Sequence, residues 1–273
     1  WHGLSMHELY EQAHTPWEWH KKIFRSAHEL GLLCFSSPFD ETAVDFLEAL
    51  GCPCYKIGST ENTDVALLRK VASTGKPIII STGMATVTDL GEMVNVVKEA
   101  GCKDLILLKC TAAYPADPAE ANLLTIPHMQ QLLDCQIGLS DHTMGIGVAI
   151  ASIALGATVI EKHFTLSRDE GGVDSDFSME PNEFNLLVKE SKVAWQARGK
   201  IHYGTVQSEN SSLSRRSLYI VKDMEEGDIL TKKNLRSIRP GFGLPTKHLD
   251  ALLGMAVTKK IDCGTRVSWD IIK

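Results

Sequence analysis

Short apolar runs alternate with polar turns and amphipathic stretches between residues 31 and 165. Six runs have the length of strands: 32–36, 54–58, 77–81, 105–110, 136–140 and 158–163. Between them, residues 42–50 and 90–100 show helical periodicity and are followed by Gly51 and Gly101, which are typical helix stops. This pattern predicts strand and helix units that repeat along a parallel sheet.

The carboxyl end of each predicted strand carries small hydroxyl or charged residues. In a β/α barrel all these ends meet at one rim, where the active site is built. An open doubly wound sheet has polar ends chiefly at its switch point, and no G-x-G-x-x-G motif follows the first run. We therefore predict an α/β fold of the TIM (β/α)8-barrel type. Because only six strands can be counted, the first two β/α units are expected to be missing, with a gene start roughly 70 residues upstream.

The pattern changes after Gly199. Residues 202–216 are rich in serine and lack helical periodicity, whereas residues 217–221 resume an alternating strand pattern. Glycines then separate short apolar pieces up to the end of the chain, as in a small β module. We predict a barrel over residues 1–199, a linker over 200–216 and a mainly β domain over 217–273.

Composition narrows the class of protein. The 273 residues include 44% hydrophobic and 23% charged residues, with a net charge of −6. This balance excludes a largely disordered or integral-membrane protein, and the acidic total argues against nucleic acid as a partner. No signal peptide is recognisable, so a cytoplasmic location is expected. Seven cysteines without a C-x-x-C pair predict free thiols.

Two histidines, His142 and His163, end consecutive predicted strands. Imidazole is a common ligand of divalent metals, and two rings on adjacent strand ends could share one ion. Hydrogen-bonded structural histidines are an equally good interpretation. Asp174 follows a Gly-Gly loop. It is a candidate hydrogen-bond acceptor, either for a group that ligates the metal or for a substrate hydroxyl. An ordinary turn aspartate is the alternative interpretation.

A second candidate cluster consists of one lysine and four serines at the strand ends: Ser37, Lys56, Ser59, Ser81 and Ser140. Hydroxyl donors around a lysine could surround a phosphate. A lysine inside an apolar strand is costly to bury alone, which favours a functional rim for Lys56. Lys109 and Lys162 have the same pattern, but side-chain alternation could direct them to the outer face.

Five segments resemble the sialic acid synthase family: residues 35–40 (FSSPFD), 55–59 (YKIGS), 81–86 (STGMAT), 138–143 (GLSDHT) and 160–165 (IEKHFT). The C-terminal part, with Arg239-Pro240-Gly241, resembles the antifreeze-like (SAF) domain of those enzymes. Within the family, residues 9–10, 15–20, 172–181 and 216–219 resemble the branch that makes pseudaminic acid. Ala112 departs from the asparagine of the neuraminate branch, which puts one phosphoenolpyruvate contact in doubt.

The resemblance implies a transferase that condenses phosphoenolpyruvate with an acetamido sugar. His142 and His163 would hold Mn²⁺ or Mg²⁺, and Asp174 would bind the sugar or the water around the metal. Lys56 and the four serines would hold the phosphate and carboxylate, and Tyr114 would shape the sugar pocket. The family's N-terminal glutamate, Asn-His pair and second lysine cannot be located in this sequence.

The resemblance also implies a homodimer with exchanged SAF domains, in which Arg239 reaches the sugar in the partner's barrel. Two alternatives differ in class. A seven- or eight-carbon ulosonate phosphate synthase would share the phosphate-binding rim but lack the C-terminal module. A non-catalytic protein that binds sugar or phosphate is the other. Within the family, N-acetylneuraminate and legionaminic acid synthases are the alternatives to the pseudaminic branch.

Overall fold

The structure is a computed structural model that describes residues 5–207, 209 and 211–273, without the side chains of Met6 and Ser211. The chain divides into two compact units, Trp1–Gly199 and Lys200–Lys273. The predicted finer division, with a linker over residues 200–216, stays a prediction.

The first unit is built on five parallel strands: β1 (Tyr55–Ile57), β2 (Ile78–Ser81), β3 (Leu105–Cys110), β4 (Gln136–Asp141) and β5 (Ile160–Lys162). They lie side by side in chain order, and each pairs with the next through parallel hydrogen bonds. Helices connect consecutive strands. Sequential parallel strands with helical crossovers are the arrangement of a β/α barrel, so the predicted class is confirmed as a partial barrel.

In the described part of this unit, eight α-helices accompany the sheet: α1 (Met6–Ala13), α2 (Trp17–Glu29), α3 (Glu41–Ala49), α4 (Val65–Ala72), α5 (Val87–Glu99), α6 (Thr125–Leu133), α7 (Gly147–Ala154) and α8 (Pro181–Arg198). Asp40 caps α3 by accepting a hydrogen bond from the amide of Ala43, and Thr86 caps α5 in a reciprocal pair with Asp89. After α3 and α5 the chain turns at Gly51 and Gly101, both with positive φ. The two predicted helices are therefore confirmed.

The predicted strand over residues 32–36 is wrong. In the described structure this segment has no strand hydrogen bonds, and Leu33 is 81% exposed. A strand exists only where its backbone pairs with a neighbour. Here the amide of Leu32 donates to the carbonyl of Ala27 at the end of α2, and the amide of Ser36 donates to the sulfur of Cys52. Residues 32–36 thus form local hydrogen bonds instead of pairing with a neighbouring strand.

The two faces of the sheet differ in chemistry. Side chains that face the helices form the main core, with Ile57, Ile80, Leu107 and Ile137 all completely buried. The intervening residues alternate to the other face, because successive side chains of a strand point in opposite directions. Among the register partners on that inner face are Cys110, Ser140 and Glu161, which lie next to one another on β3, β4 and β5.

The second unit is small and mainly β, as predicted. Its elements are α9 (Ser211–Ser214), the antiparallel pair β6 (Ser217–Ile220) and β7 (Leu235–Ile238), and α10 (Leu249–Leu252). Isolated bridges and a separate core around Leu218, Leu235 and Val257 complete it. A Cβ atom at Gly243 would lie 2.4 Å from the carbonyl oxygen of Leu218, so this loop requires glycine.

All seven cysteines are free thiols.

Within the described residues, no helix has the length and apolarity needed to cross a bilayer.

Candidate active site at the carboxyl ends of the strands

His142 directly follows β4 and His163 directly follows β5, which is its neighbour in the sheet. The centroids of the two imidazole rings lie 5.2 Å apart with an edge-to-face angle of 66°. His142 is buried, at 7% exposure, and His163 is half-buried, with 31% of its side chain exposed. The parallel register therefore brings the two candidate metal ligands to one point of the rim.

The Nδ1 atom of each histidine has a partner. Nδ1 of His142 lies 2.9 Å from the carbonyl oxygen of Thr111, and Nδ1 of His163 lies 3.4 Å from Oδ2 of Asp174. Because both partners accept hydrogen bonds, a neutral ring at either site carries its proton on Nδ1. Each Nε2 then keeps its lone pair, which is the tautomer that a metal-binding imidazole needs.

Burial lowers the pKa of His163; Asp174 opposes this effect, and the neighbouring His142 adds to it. The ring is therefore neutral at physiological pH. Burial also lowers the pKa of His142, but the Cys110 thiol and the Thr111 carbonyl raise it by more, so the net direction is upward.

A chain of polar contacts crosses the inner face of the sheet. Nζ of Lys56 lies 3.6 Å from Oε2 of Glu161, and the hydroxyl of Ser140 donates to Oε1 of the same carboxylate at 2.7 Å. Lys56 is 9% exposed and also donates to the carbonyl of Ile57 at 2.8 Å. Burial lowers the pKa of Lys56, and Glu161 opposes that effect. A lysine, a hydroxyl and a carboxylate thus meet on three different strands.

Ser59 and Ser81 lie near the ends of β1 and β2. The hydroxyl oxygen of Ser59 accepts a hydrogen bond from the amide of Gly83 at 3.0 Å. The hydroxyl of Ser81 is buried and has no hydrogen-bond partner among the described residues. A buried, unpaired hydroxyl is unfavourable unless a ligand or water completes it. Ala112, at the position of the departure from the family pattern, packs beside Gly83.

Cys110 connects the histidine pair with the serines. Its sulfur lies 3.9 Å from Nδ1 of His142 and beside the hydroxyls of Ser59 and Ser140. Burial raises the pKa of this thiol, and the polar contacts with His142 and the two serines lower it by more. The two clusters that the sequence suggested separately are one continuous site.

Tyr114 covers the histidines. Its ring centroid lies 4.3 Å from that of His142 and 5.9 Å from that of His163. Phe177 stands beside both Tyr114 and His163, with centroids at 5.6 and 5.0 Å. Burial raises the pKa of the Tyr114 phenol, and the charges of Cys110, Asp174, Glu161 and Tyr10 raise it further.

Ser37 and Arg239 are the remaining predicted site residues. Ser37 is half-buried in the segment before α3, and no hydrogen bond in the described part of the chain joins it to Lys56 or the other serines. Arg239 is exposed in the second unit, directly after β7. Their predicted roles stay predictions.

The two further lysines, Lys109 and Lys162, lie at strand positions that alternate with those of the inner face. Lys162 forms a buried ion pair with Asp141 at 3.1 Å. Lys109 donates to the carbonyl of Cys110 and to the hydroxyl of Thr111. Both side chains are thus held by groups of the protein itself.

Sequence reasoning missed Glu161, Glu61, Cys110 and Phe177. Glu161 could have been found, because a glutamate inside the apolar run 158–163 has the same burial cost that singled out Lys56. One oxygen of Glu61 is buried without a partner within the described residues, and its charge raises the pKa of Lys56. Cys110 and Phe177 carry no local signal, because their importance lies in what surrounds them.

Comparisons with known proteins identify the family of the chain. Residues 1–203 match the NeuB family and residues 215–273 match the SAF domain. Pseudaminic acid synthase of Helicobacter pylori is 39% identical over all of this chain and 81% of its own length. The enzyme of the same name from Campylobacter jejuni strain 81-176 is 40% identical over 97% of this chain and 77% of its own.

More distant relatives have other products. N,N'-diacetyllegionaminic acid synthase of Campylobacter jejuni is 37% identical over 88% of this chain and 73% of its own length. Among solved structures, the N-acetylneuraminic acid synthetase of Leptospira borgpetersenii superposes with a TM-score of 0.71 at 28% identity, over 76% of this chain and 73% of its own. The spore coat polysaccharide biosynthesis protein SpsE of Bacillus subtilis gives 0.66 at 26% identity, over 99% and 81%. The chain therefore belongs to the NeuB family of sialic acid synthase-type enzymes and carries a C-terminal SAF domain.

Proposed function

We propose that this protein is a pseudaminic acid synthase. It would condense phosphoenolpyruvate with 2,4-diacetamido-2,4,6-trideoxy-β-L-altropyranose and water, and release pseudaminic acid and phosphate. The relatives of that name, at about 40% identity over nearly the whole chain, support this product over legionaminic or neuraminic acid. The SAF domain argues against a seven- or eight-carbon ulosonate phosphate synthase.

The observation that carries the proposal is the continuous cluster from Lys56 through Glu161 and Ser140 to Cys110 and His142. A cationic group and hydroxyl donors lie at one end of this cluster, and two imidazoles lie at the other. The first set suits an anionic phosphate ester, and the second could hold a divalent metal that polarises a carbonyl oxygen. A reaction that joins a phosphorylated enol to an aldehyde needs both, side by side.

The donor set fits a divalent metal in part. His142 and His163 present the correct tautomer with centroids 5.2 Å apart, and Asp174 supports the second ring. Within the described residues, no group of three or more histidine, cysteine or acidic side chains is arranged to hold an ion. Two imidazoles therefore suit an ion whose other ligands are water and substrate. When bound there, Mn²⁺ or Mg²⁺ supplies Lewis acidity to the aldehyde oxygen of the open-chain sugar.

The side chains of the rim would divide the remaining work. Lys56 and the hydroxyls of Ser59, Ser81 and Ser140 bind the phosphate and carboxylate, and Ser37 extends this set. Carbon 3 of phosphoenolpyruvate forms a bond to the aldehyde carbon with the electrons of its double bond, and the π electrons of the carbonyl move to its oxygen, which takes up a proton. Water then adds to carbon 2 and loses a proton, and phosphate leaves with the electron pair of its bond to that carbon. Positioning and charge stabilisation by these fixed groups provide most of the acceleration.

The sugar would be held on the other side of the cluster. Tyr114 packs over the two histidine rings and forms one wall of the sugar pocket. Asp174 binds the sugar or the water around the metal, and its link to His163 keeps that carboxylate at the rim.

The test is phosphate release from phosphoenolpyruvate and Mn²⁺ with three sugars: N-acetylmannosamine and the altrose- and mannose-type diacetamido sugars. We expect kcat/KM to be at least tenfold higher for the altrose-type sugar, since a factor of ten corresponds to about 1.4 kcal/mol of transition-state binding. A preference for either other sugar would replace the proposed product. No phosphate release with any sugar would favour the non-catalytic alternative.

Assembly is part of the proposal. We infer a homodimer in the cytoplasm, where phosphoenolpyruvate is available, with the exposed Arg239 contributed to the sugar site of the partner. The net charge of −6 gives no basis for a nucleic-acid partner. Arg239→Ala should raise the sugar KM while the KM for phosphoenolpyruvate and the melting temperature stay the same. An unchanged sugar KM, or a monomer in sedimentation, would contradict it.

A further inference from the structure

The turn that carries Asp174 also places an aromatic ring on His163. Phe177 ends a single 3-10 turn, Ser175–Phe177, and is 8% exposed. Its ring meets that of His163 at 5.0 Å and 65°, and that of Tyr114 at 5.6 Å and 51°. Both angles are far from parallel, and edge-to-face contacts of this kind are favourable between aromatic rings.

This turn is fixed to the strand end that it covers. The hydroxyl of Ser178 donates to the carbonyl of Asp174 at 2.7 Å, and the hydroxyl of Ser175 donates to that of Gly172 at 3.1 Å. The amide of Met179 donates to the carbonyl of His163 at 2.9 Å. The backbone that carries Phe177 is therefore tied directly to the backbone of the histidine.

The bond to Asp174 is a weak constraint on the imidazole. At 3.4 Å, the distance from Nδ1 to Oδ2 exceeds that of a good N–H···O hydrogen bond. The final torsion of a histidine side chain is broad, so a single long contact leaves the ring free to rotate. Nδ1 of His142, by contrast, is held at 2.9 Å by the carbonyl of Thr111.

We propose that Phe177 is a positioning residue that holds the His163 ring with Nδ1 toward Asp174 and leaves Nε2 for a ligand. Tyr114 contacts both rings and completes the aromatic packing. The role of Nε2 as a metal ligand rests on the proposed function, whereas the orientation of the ring does not. Phe177 thereby fixes the orientation of the His163 ring, as the Thr111 carbonyl fixes that of the His142 ring.

The first measurement needs no metal. Long-range ¹H–¹⁵N spectra of the metal-free full chain at pH 8 report the tautomer of each imidazole. We expect one tautomer for His163 in the wild type and in Phe177→Tyr, which keeps the ring. In Phe177→Leu, which keeps apolar volume but has no ring edge, His163 should show a mixture of tautomers, while His142 is unchanged.

Phe184→Leu is the matched control. Phe184 makes a similar edge-to-face contact with Phe164 at 5.5 Å in the same unit, and no ring contact with either histidine. This variant should leave the His163 signal as in the wild type. An unchanged His163 tautomer in Phe177→Leu, or the same change in Phe184→Leu, would overturn the proposal.

The second measurement separates this inference from the proposed function. Mn²⁺ titration followed by electron paramagnetic resonance should show about tenfold weaker binding in Phe177→Leu than in the wild type or Phe177→Tyr, as for loss of other groups that orient a metal ligand. Equal binding in Phe177→Leu would contradict positioning. If the wild type binds no Mn²⁺, the proposed metal site fails, and the tautomer spectra still decide the role of Phe177.

Discussion

Neighbouring residues of the same strands serve opposite purposes on the two faces of the sheet. On β1, Ile57 is completely buried against the helices, whereas the adjacent Lys56 faces Glu161 across the inner face. On β4, Ile137 belongs to the core, and Ser140, three residues later, belongs to the polar cluster. An odd number of steps along a strand thus separates side chains that stabilise the fold from side chains of the candidate site.

The difference shows where the burial of polar groups is tolerated. The helix-facing side satisfies the hydrophobic requirement and contains few ionisable groups. The inner face buries a lysine that is paired with Glu161, and a serine hydroxyl that has no partner among the described residues. The unpaired hydroxyl costs stability unless a ligand or water completes it. Changes on the first face should therefore act on folding, and changes on the second should act on catalysis.

The ion pair of Asp141 and Lys162 is the exception to this division, and it gives the largest expected effect. Both side chains are almost fully buried, and they lie at positions of β4 and β5 that alternate with the inner-face positions of Ser140 and Glu161. Asp141→Ala leaves a buried lysine without its partner, which should cost about 3–5 kcal/mol in the free energy of unfolding. Urea denaturation measures it.

The exposed pair of Asp45 and Lys70 is the control, because solvent screens it. Asp45→Ala should cost less than about 1 kcal/mol. Equal losses in the two variants would show that the buried pair is not special.

Lys56→Met tests the inner face. The loss of the cation that faces Glu161 should lower kcat/KM about 10²–10³-fold, because one preorganised electrostatic contact has that effect. The free energy of unfolding should change by less than about 1 kcal/mol, since an apolar chain of similar length replaces the buried charge and Glu161, whose side chain is 39% exposed, stays in contact with solvent. Initial rates of phosphate release and urea denaturation together check this separation. A large loss of stability would place Lys56 among the structural residues.

Ile57→Ala tests the opposite face one residue away. Loss of a fully buried side chain next to the helices should destabilise the protein by about 3 kcal/mol. The kcat/KM of the protein that stays folded should change less than threefold, a factor equal to about 0.7 kcal/mol. A fall in kcat/KM as large as that of Lys56→Met would mean that the two faces are not independent.

The smallest effect concerns pH. Burial raises the pKa of Glu48, but hydrogen bonds from Lys76 and Tyr55 lower it by more, so the carboxyl titrates below its usual range in the folded state. The unfolded chain then binds more protons, and this contribution to stability is present above about pH 4.5 and is lost as the pH falls through the folded pKa. Since about a third of the Glu48 side chain is exposed, the loss should be a fraction of 1 kcal/mol.

Urea midpoints at pH 6 and pH 3.5 measure this effect against Glu48→Gln. The difference between wild type and variant should shrink at the lower pH. A constant difference at both pH values would contradict the contribution of the charged carboxylate.

Much of the fold follows from local patterns. The short apolar runs of residues 77–81 and 105–110, and the period of 3.6 in the helix before Gly101, predicted strands and a helix that the structure contains. The run 32–36 has the same pattern, yet it forms no strand, because pairing depends on a neighbour that a local pattern does not describe.

The candidate site was predictable only as a set of separate residues. Lys56 and the two histidines stand out because charged or polar groups at the ends of apolar runs need a reason. Phe177 and Cys110 do not stand out, since a phenylalanine and a cysteine are ordinary buried residues. Their contacts with the histidines come from distant parts of the chain.

The sequence by itself determined the succession of strands and helices from residue 42 onward in the first unit, the alternation of side chains between the two faces of the sheet, and the resemblance to a family of enzymes. It left open the face on which Lys109 and Lys162 lie. These properties depend on the chemistry of a few consecutive residues and on the period of the backbone. Only the tertiary structure decided that Glu161 links Lys56 to Ser140 and that Phe177 packs on His163. Such contacts depend on strand register and on where a loop returns to the sheet, which are set by the packing of the whole unit.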